Sequence, residues 1–305
     1  MHKKLENVVS ELNQIILGKE NQIKLALVSL LAKGHLLIED LPGMGKTTLA
    51  HALAKVLGLD FQRIQFTSDL LPADIIGSAI YRRSDETFKF HRGPIFTQVI
   101  LADEVNRATP KSQSALLEAM EEYQVTSEGV SRKLPEPFFV IATQNPFHQI
   151  GTYPLPESQL DRFMIRISLG YPAAEVEREL FQGKETRVQI DKLSPVLSPE
   201  ELLALQAEVD KVVVSDRLLD YLQDLIAATR TATQWLHGLS PRGGLALLKA
   251  AKAWAFLDGR DFVLPEDLQA VWEPVAGHRL LSQSASNSGD ESPIVALLAE
   301  TDIPR

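Results

Sequence analysis

The chain has no cysteine among its 305 residues. That excludes a disulfide framework, a thiol nucleophile and any cysteine-ligated metal. It also lacks an excess of basic charge. Lys plus Arg number 31 against 40 Asp plus Glu, for a net charge of −9. This balance argues against a protein that grips nucleic acid through a broad basic face. Long hydrophobic runs are missing as well. The longest is interrupted at Lys33, Gly34 and His35, and none reaches the roughly 18 residues of a membrane helix. The first residues, MHKKLENVVSELNQ, lead into no apolar segment of the signal-peptide kind. Together with zero cysteine, this sets the expectation of a cytoplasmic protein without a membrane segment. There is no internal repeat, no G-x-S-x-G elbow, and no metal-ligand spacing among the seven histidines.

What is present is an ordinary globular composition, 45% hydrophobic and 23% charged, too apolar for disorder. At about 150 residues per domain the length suggests roughly two domains. Five short apolar runs predict strands: His35–Asp40, Arg63–Phe66, Gln98–Glu104, Phe138–Thr143 and Phe163–Leu169. They are continuous rather than alternating, as for strands buried on both faces, and helical segments separate them. That pattern predicts an α/β fold with a parallel sheet between helical layers. Two further segments, Ile80–Gly93 and Gln124–Pro135, read as hairpins. After Tyr171-Pro172 the pattern becomes helical, with starts at Ser198-Pro199, Ser240-Pro241 and Leu264-Pro265. We therefore expect a core over 1–170, a linker over 171–197, a smaller all-helical lid over 198–281, and a flexible segment with a short apolar tail over 282–305. The flexible part is Ser282–Ser292, a polar run of small residues.

The strongest chemical signal is LPGMGKTT, Leu41–Thr48, set between a strand and a helix. A phosphate-binding loop needs that context, because backbone N–H groups and the helix N-terminus must point at the phosphates. Within the loop Pro42–Thr48, Gly43 and Gly45 allow close backbone approach, flanking Met44. Lys46 would reach the β- and γ-phosphates, and the Thr47 hydroxyl, followed by Thr48, would ligate Mg²⁺. The full motif wants glycine where this chain has Asp40. The strand VILADE ends in Asp103 and Glu104, at the sheet edge where ligands of open α/β sheets bind. Asp103 would hold Mg²⁺ through water, and Glu104 would act as general base on the attacking water. Asn145, in ATQNP, can hold that water or the γ-phosphate. Arg162 and Arg242 are candidates to neutralise charge on the transferred phosphoryl group, and Arg107 is a weaker one. Glu118, Glu121 and Glu122 read as the solvated face of a helix.

In this order, the phrases Leu41–Thr48, Gly93–Glu122, Ala142–Phe163 and Ser240–Leu268 resemble the MoxR family of AAA+ ATPases. The resemblance runs from about Ile16 to Leu281. It implies a five-stranded αβα core with a small helical lid and a ring, usually a hexamer, with ATP between neighbours. The two hairpins fall where one clade of the family carries insertions. It further implies that Asn145 is a sensor residue, that Arg162 is an arginine finger offered to the neighbour, and that Arg242 is a second sensor. Whether Arg242 serves its own nucleotide or the neighbour's stays open. Ile16 and Gly18 match the stretch that lines the adenine pocket. The resemblance implies a chaperone that works with a protein carrying a von Willebrand factor A domain, on a client complex or in metal cofactor insertion. Alternatives are a nucleic-acid motor, a metal-chelatase motor subunit, or a nucleotide-dependent scaffold with negligible turnover. The acidic balance and the lack of a DNA-binding module argue against the first.

Overall fold

The computed structural model describes residues 2–84, 86–146, 151–181, 190–280 and 293–303. The run Ser282–Ser292 lies outside them.

Two helices come first, α1 (His2–Ile15) and α2 (Glu20–Leu31). In α1 the residues Leu5, Val8, Leu12 and Ile15 repeat every three or four positions, and all are buried. Helix α2 is different: eight of its residues, Ile23 and Leu25–Leu31, are buried, so it is covered on nearly every side. Then follow β1 (Leu36–Glu39), α3 (Lys46–Val56), β2 (Phe61–Gln65), the short α4 (Pro72–Ile76), the pair β3 (Gly77–Arg82) and β4 (Thr87–Arg92), β5 (Val99–Asp103), α5 (Pro110–Glu122), the pair β6 (Gln124–Ser127) and β7 (Val130–Lys133), β8 (Phe139–Gln144), the short α6 (Glu157–Leu160), β9 (Ile165–Ile167) and α7 (Ala174–Phe181).

Five of these strands form one parallel sheet in the order β2-β5-β8-β1-β9. All five predicted strands are therefore present in one sheet. One differs from expectation. Gln62, Arg63 and Gln65 on β2 are exposed, because β2 is an edge strand and nothing pairs with its outer side. The strands β5 and β8, in the middle, are buried almost throughout.

Both expected hairpins form antiparallel pairs, β3 with β4 and β6 with β7. The turn of the second is Glu128-Gly129, with φ of 55° and 75°, the left-handed pair of a tight hairpin turn.

The C-terminal part is helical, with α8 (Pro199–Asp210), α9 (Asp216–Thr231), α10 (Pro241–Leu257), α11 (Pro265–Ala276) and α12 (Pro293–Glu300). Three of them start as predicted. The Ser198 hydroxyl accepts from Glu201 N–H while the Glu201 carboxylate accepts from Ser198 N–H. Ser240 Oγ accepts from Gly243 N–H at 3.0 Å, and Asp267 accepts from Leu264 N–H at 2.8 Å. Each such cap is worth about 1 kcal/mol. Leu219 and Leu245 stand at the spacing of an apolar stripe yet are exposed; Leu218, Leu222, Leu225, Leu247 and Ala251 carry the buried faces.

The helical part is not set apart from the core. Helices α8 and α10 pack on α2, and one buried cluster runs from α1, α2 and α3 across β1 into α10 and α11. Gln206 donates to Leu30 O at 2.8 Å across that boundary. The apolar tail is docked too: Ile294 and Leu297 are buried, and Trp272 Nε1 donates to Ile294 O at 2.8 Å. The second cluster fills the other side of the sheet, between α4, α5 and the inner faces of β5 and β8. Together the two clusters place the sheet's carboxyl edge, and the loops leaving β1, β5 and β8, between firm layers.

Candidate nucleotide site

The sheet order is what brings the predicted residues together. Strands β5, β8 and β1 are neighbours, so the loops leaving their carboxyl ends converge. They carry Asp103-Glu104, Asn145 and the loop Leu41–Thr48.

In that loop Gly43 and Gly45 have φ of +85° and +86°. L side chains rarely adopt this conformation. A Cβ built on either glycine meets nothing within 4 Å, so the space in front of the loop is open, as a phosphate requires. Gly45 is also the residue from which α3 starts, and its neighbour Lys46 is the first helical residue. The Lys46 side chain is buried (8% exposed). Its Nζ donates to Asp40 O at 2.5 Å and to Asn145 Oδ1 at 3.3 Å. Burial lowers the ammonium pKa, and the charges of Asp40, Asp103 and Glu104 oppose that shift. A cation at a helix start attracts an anion, while the carboxylates around it need a counter-cation before a phosphate can enter. Thr47 is exposed, Thr48 half-buried, and Met44 packs against the core.

Asp40, the departure from the phosphate-loop motif, has a structural task. Its Oδ2 accepts from the N–H groups of Leu169 and Gly170, both at 2.7 Å, and from Ser168 Oγ at 3.2 Å. Its Oδ1 accepts from Leu41 N–H at 2.9 Å. Its carboxylate thus ties the end of β1 to the end of β9, filling a role that glycine could not.

Asp103 is buried (8% exposed). Its Oδ1 accepts from Thr143 Oγ1 at 2.6 Å, and its Oδ2 accepts from Arg63 Nε at 3.1 Å and Nη2 at 2.6 Å. Thr143 Oγ1 in turn accepts from Glu104 N–H at 2.9 Å. Glu104 has a left-handed backbone, φ 56°, which turns the chain sharply at the strand end. Its carboxylate accepts from Gln65 Nε2 at 2.9 Å and pairs with Arg107 at 3.1 Å. Arg63 and Gln65 were not foreseen from the sequence. They alternate on one side of the edge strand β2, opposite Leu101 and Asp103 in register. Two exposed polar residues at the end of a predicted strand were the available signal. Thr143, fully buried between the two acidic residues, was also missed.

Ile16 is buried and Gly18, with φ of +70°, sits 3.9 Å (from an ideal Cβ) from Val176 of α7. Lys19 Nζ donates to Tyr171 O at 2.8 Å. The stretch that connects α1 to α2 therefore packs on the segment after β9.

The two remaining arginines are elsewhere. Arg162 Nη1 donates to Leu117 O at 3.0 Å and to Glu121 Oε2, and Arg242 Nη2 donates to Glu121 Oε1. These guanidiniums share one carboxylate on α5. Pairing with Arg242, and then Arg162, holds the Glu121 carboxyl below the usual range. Glu121 was expected as part of a merely solvated face; the structure gives it two charged partners.

Among the described residues the two groups share no hydrogen bond: the phosphate-loop group draws its partners from β1, β2, β5, β8 and the segment after β9, the arginine pair from α5. Among the described residues no helix is long and apolar enough to cross a membrane.

The sequence model of the ATPase family associated with various cellular activities (AAA) matches residues 35–165, and that of the AAA lid domain matches residues 227–297. The uncharacterised protein YeaC of Bacillus subtilis is 46% identical over 92% of this chain and 88% of its own length. The protein named Chaperone MoxR1 of Mycobacterium tuberculosis is 41% identical over 96% of this chain and 80% of its own. A crystal structure of a protein from Cytophaga hutchinsonii described as an ATPase superposes with a TM-score of 0.89 at 39% identity, covering 100% of this chain and 96% of that one. The five-stranded parallel sheet, the glycine-rich loop between strand and helix and these likenesses lead to one conclusion: the chain belongs to the MoxR family of AAA+ ATPases.

Proposed function

We propose that this protein hydrolyses ATP with Mg²⁺ at a site completed by a neighbouring subunit, and uses the cycle to remodel or activate a protein partner. The observation that carries the reading is the division of the charged groups. Lys46, Asp103, Glu104 and Asn145 meet at the ends of adjacent strands, while Arg162 and Arg242 sit together on Glu121.

In this reading residues 1–170 bind the nucleotide and 198–281 form the lid. The loop Pro42–Thr48 wraps the phosphates with its N–H groups, and Lys46 exchanges Asp40 O and Asn145 Oδ1 for phosphate oxygens. Ile16 and Gly18 flank the base. The residues present suit Mg²⁺, since a buried carboxylate, Asp103, lies beside the loop that carries the Thr47 hydroxyl. Thr47 would bind the ion directly and Asp103 through water. When bound, the ion neutralises charge on the β- and γ-phosphate oxygens. Glu104 accepts a proton from the attacking water, and Asn145 orients that water or the γ-phosphate. Arg162 and Arg242 are offered to the neighbour's nucleotide, in a ring that we expect to be a hexamer. The anchorage of the arginine pair on α5, apart from the strand ends that carry the phosphate loop, supports action across an interface.

The relative named Chaperone MoxR1 supports a protein as the object of the work. So does the hairpin β3–β4, which exposes Ile80, Tyr81 and Phe88, the last at 73%. Exposed apolar groups of this kind suit contact with another protein. A protein with a von Willebrand factor A domain is the partner we expect, in assembly of a client complex or metal cofactor insertion, and a cytoplasmic setting accompanies this reading.

Phosphate release by purified protein, with Mg²⁺ and with a chelator, tests the hydrolysis. Loss of release in Glu104→Gln with ATP still bound supports it; undiminished release removes Glu104 from its role. Tagged Glu104→Gln protein loaded with ATP should retain a von Willebrand factor A protein from source-cell extract, absent with Lys46→Ala. Retention of nucleic acid instead would point to a motor.

A further inference from the structure

We propose that Glu121 is a positioning residue, whose carboxylate holds Arg162 and Arg242 as a pair presented to the neighbouring subunit's nucleotide. The proposal rests on the reading above.

The three side chains come from three separate places. Glu121 is in the last turn of α5, Arg162 in the turn after α6, and Arg242 in the first turn of α10. Each arginine takes one oxygen of the carboxylate, Oε2 for Arg162 and Oε1 for Arg242. Two guanidiniums brought this close repel unless an anion lies between them. With one carboxylate between two cations the cluster keeps a net positive charge, so it still attracts a phosphate.

Each member has its own support. The same Nη1 of Arg162 that meets Glu121 also donates to Leu117 O, one turn before it. The backbone on either side of Arg162 is gripped by Arg279, which donates to Asp161 Oδ1 at 2.6 Å, to Asp161 O at 3.1 Å and to Phe163 O at 2.7 Å. The end of α5 is pinned by His35, whose Nε2 lies 3.1 Å from Met120 O. Arg242 is less confined, with half of its side chain exposed, and Glu121 is its charged partner. Arg162 Nε is buried without a hydrogen-bond partner, so the guanidinium that Glu121 holds is left with donor capacity unused.

A plain surface ion pair adds little to stability, so a purely stabilising role predicts little change on its removal. Geometry is another matter, because a misplaced charge at the transferred phosphoryl group costs about a hundredfold in rate.

The test is steady-state ATPase of the full chain in Glu121→Gln and Glu121→Ala. We expect kcat to fall about ten- to hundredfold, with KM for ATP changed less than about threefold. Placed on an Arg162→Ala, Arg242→Ala background, Glu121→Ala should cause no further loss. Mixing Glu121→Ala with Lys46→Ala subunits should restore turnover, because the first keeps its phosphate loop and the second lends its arginine pair. An unchanged kcat in Glu121→Ala, beside an inactive Arg162→Ala, overturns the proposal and leaves the interface reading standing. Failure of the mixed rings places any effect of Glu121 within its own subunit and overturns it as well. A fully active Arg162→Ala protein removes both the proposal and the reading beneath it.

Discussion

The nucleotide pocket and the arginine pair are built on opposite plans. In the pocket, Lys46, Asp103 and Asn145 are buried at the edge of a five-stranded sheet, and each has a partner within hydrogen-bond distance from a neighbouring strand or its loop. Asp40 adds four further hydrogen bonds, three of which tie β1 to the end of β9. Charges in a low-dielectric place need such a network, or they pull the structure apart. The arginine pair, by contrast, is gathered from a helix end, a turn and the lid, and its side chains are a quarter to a half exposed. The lesson is one of division. The pocket group is fixed by the register of adjacent strands, while the arginine pair is assembled from three elements far apart in the chain.

The sharpest way to break this comparison is to remove one arginine. Arg162→Ala should lower kcat by about a thousandfold or more, the usual worth of an arginine at a phosphoryl transfer. ATP should still bind, as titration with a fluorescent nucleotide would reveal; loss of binding would put Arg162 into the pocket instead. Glu104→Gln comes next, with turnover down about a hundred- to ten-thousandfold and nucleotide affinity kept.

Two smaller effects test the rigidity of the pocket. Asp40→Ala leaves the N–H groups of Leu169 and Gly170 without their acceptor. That should cost about 2–3 kcal/mol and lower Tm by about 3–5 °C in a thermal melt. An unchanged Tm would show that the tie between β1 and β9 is dispensable.

The last concerns pH. His35 is buried, its Nδ1 accepts from Val140 N–H at 3.1 Å, and its Nε2 therefore carries the proton that meets Met120 O. There is no room for a second proton, and burial lowers its pKa to about 4. Below pH 6.5 the unfolded chain takes up a proton that the folded chain refuses. Stability is therefore intact above pH 6.5 and falls as pH drops toward 4, by about 2 kcal/mol at pH 5. His278, also buried and lowered, acts with the same sign. Urea unfolding at pH 7.5 and pH 5.0 checks this, and a pH-independent midpoint would contradict it.

Much of the fold was legible because it rests on local rules. Continuous apolar runs marked all five strands, Ser-Pro-Glu-Glu marked the start of α8, and Gly129 marked a turn that needs a left-handed backbone. The phosphate loop was legible for the same reason, since glycine, lysine and threonine must stand in sequence to surround a phosphate. Long-range partners were not. Leu219 and Leu245 fit an apolar stripe by spacing, yet their sides face outward, because spacing cannot say which side another element covers. Arg63 and Glu121 carry no local pattern; their roles come from residues 40 or more positions away.

The amino-acid sequence by itself determined the five sheet strands, their order along the chain and the glycine-rich loop between β1 and α3, since dihedral preference, capping and periodicity act over a few residues. Only the tertiary structure decided that β2 lies at the sheet edge and lends Arg63 to Asp103, that Asp40 joins β1 to β9, and that one carboxylate gathers two distant arginines. Those are statements about which charges end up side by side in space. Packing of the whole chain settles them, because it decides which elements far apart in sequence are brought into contact.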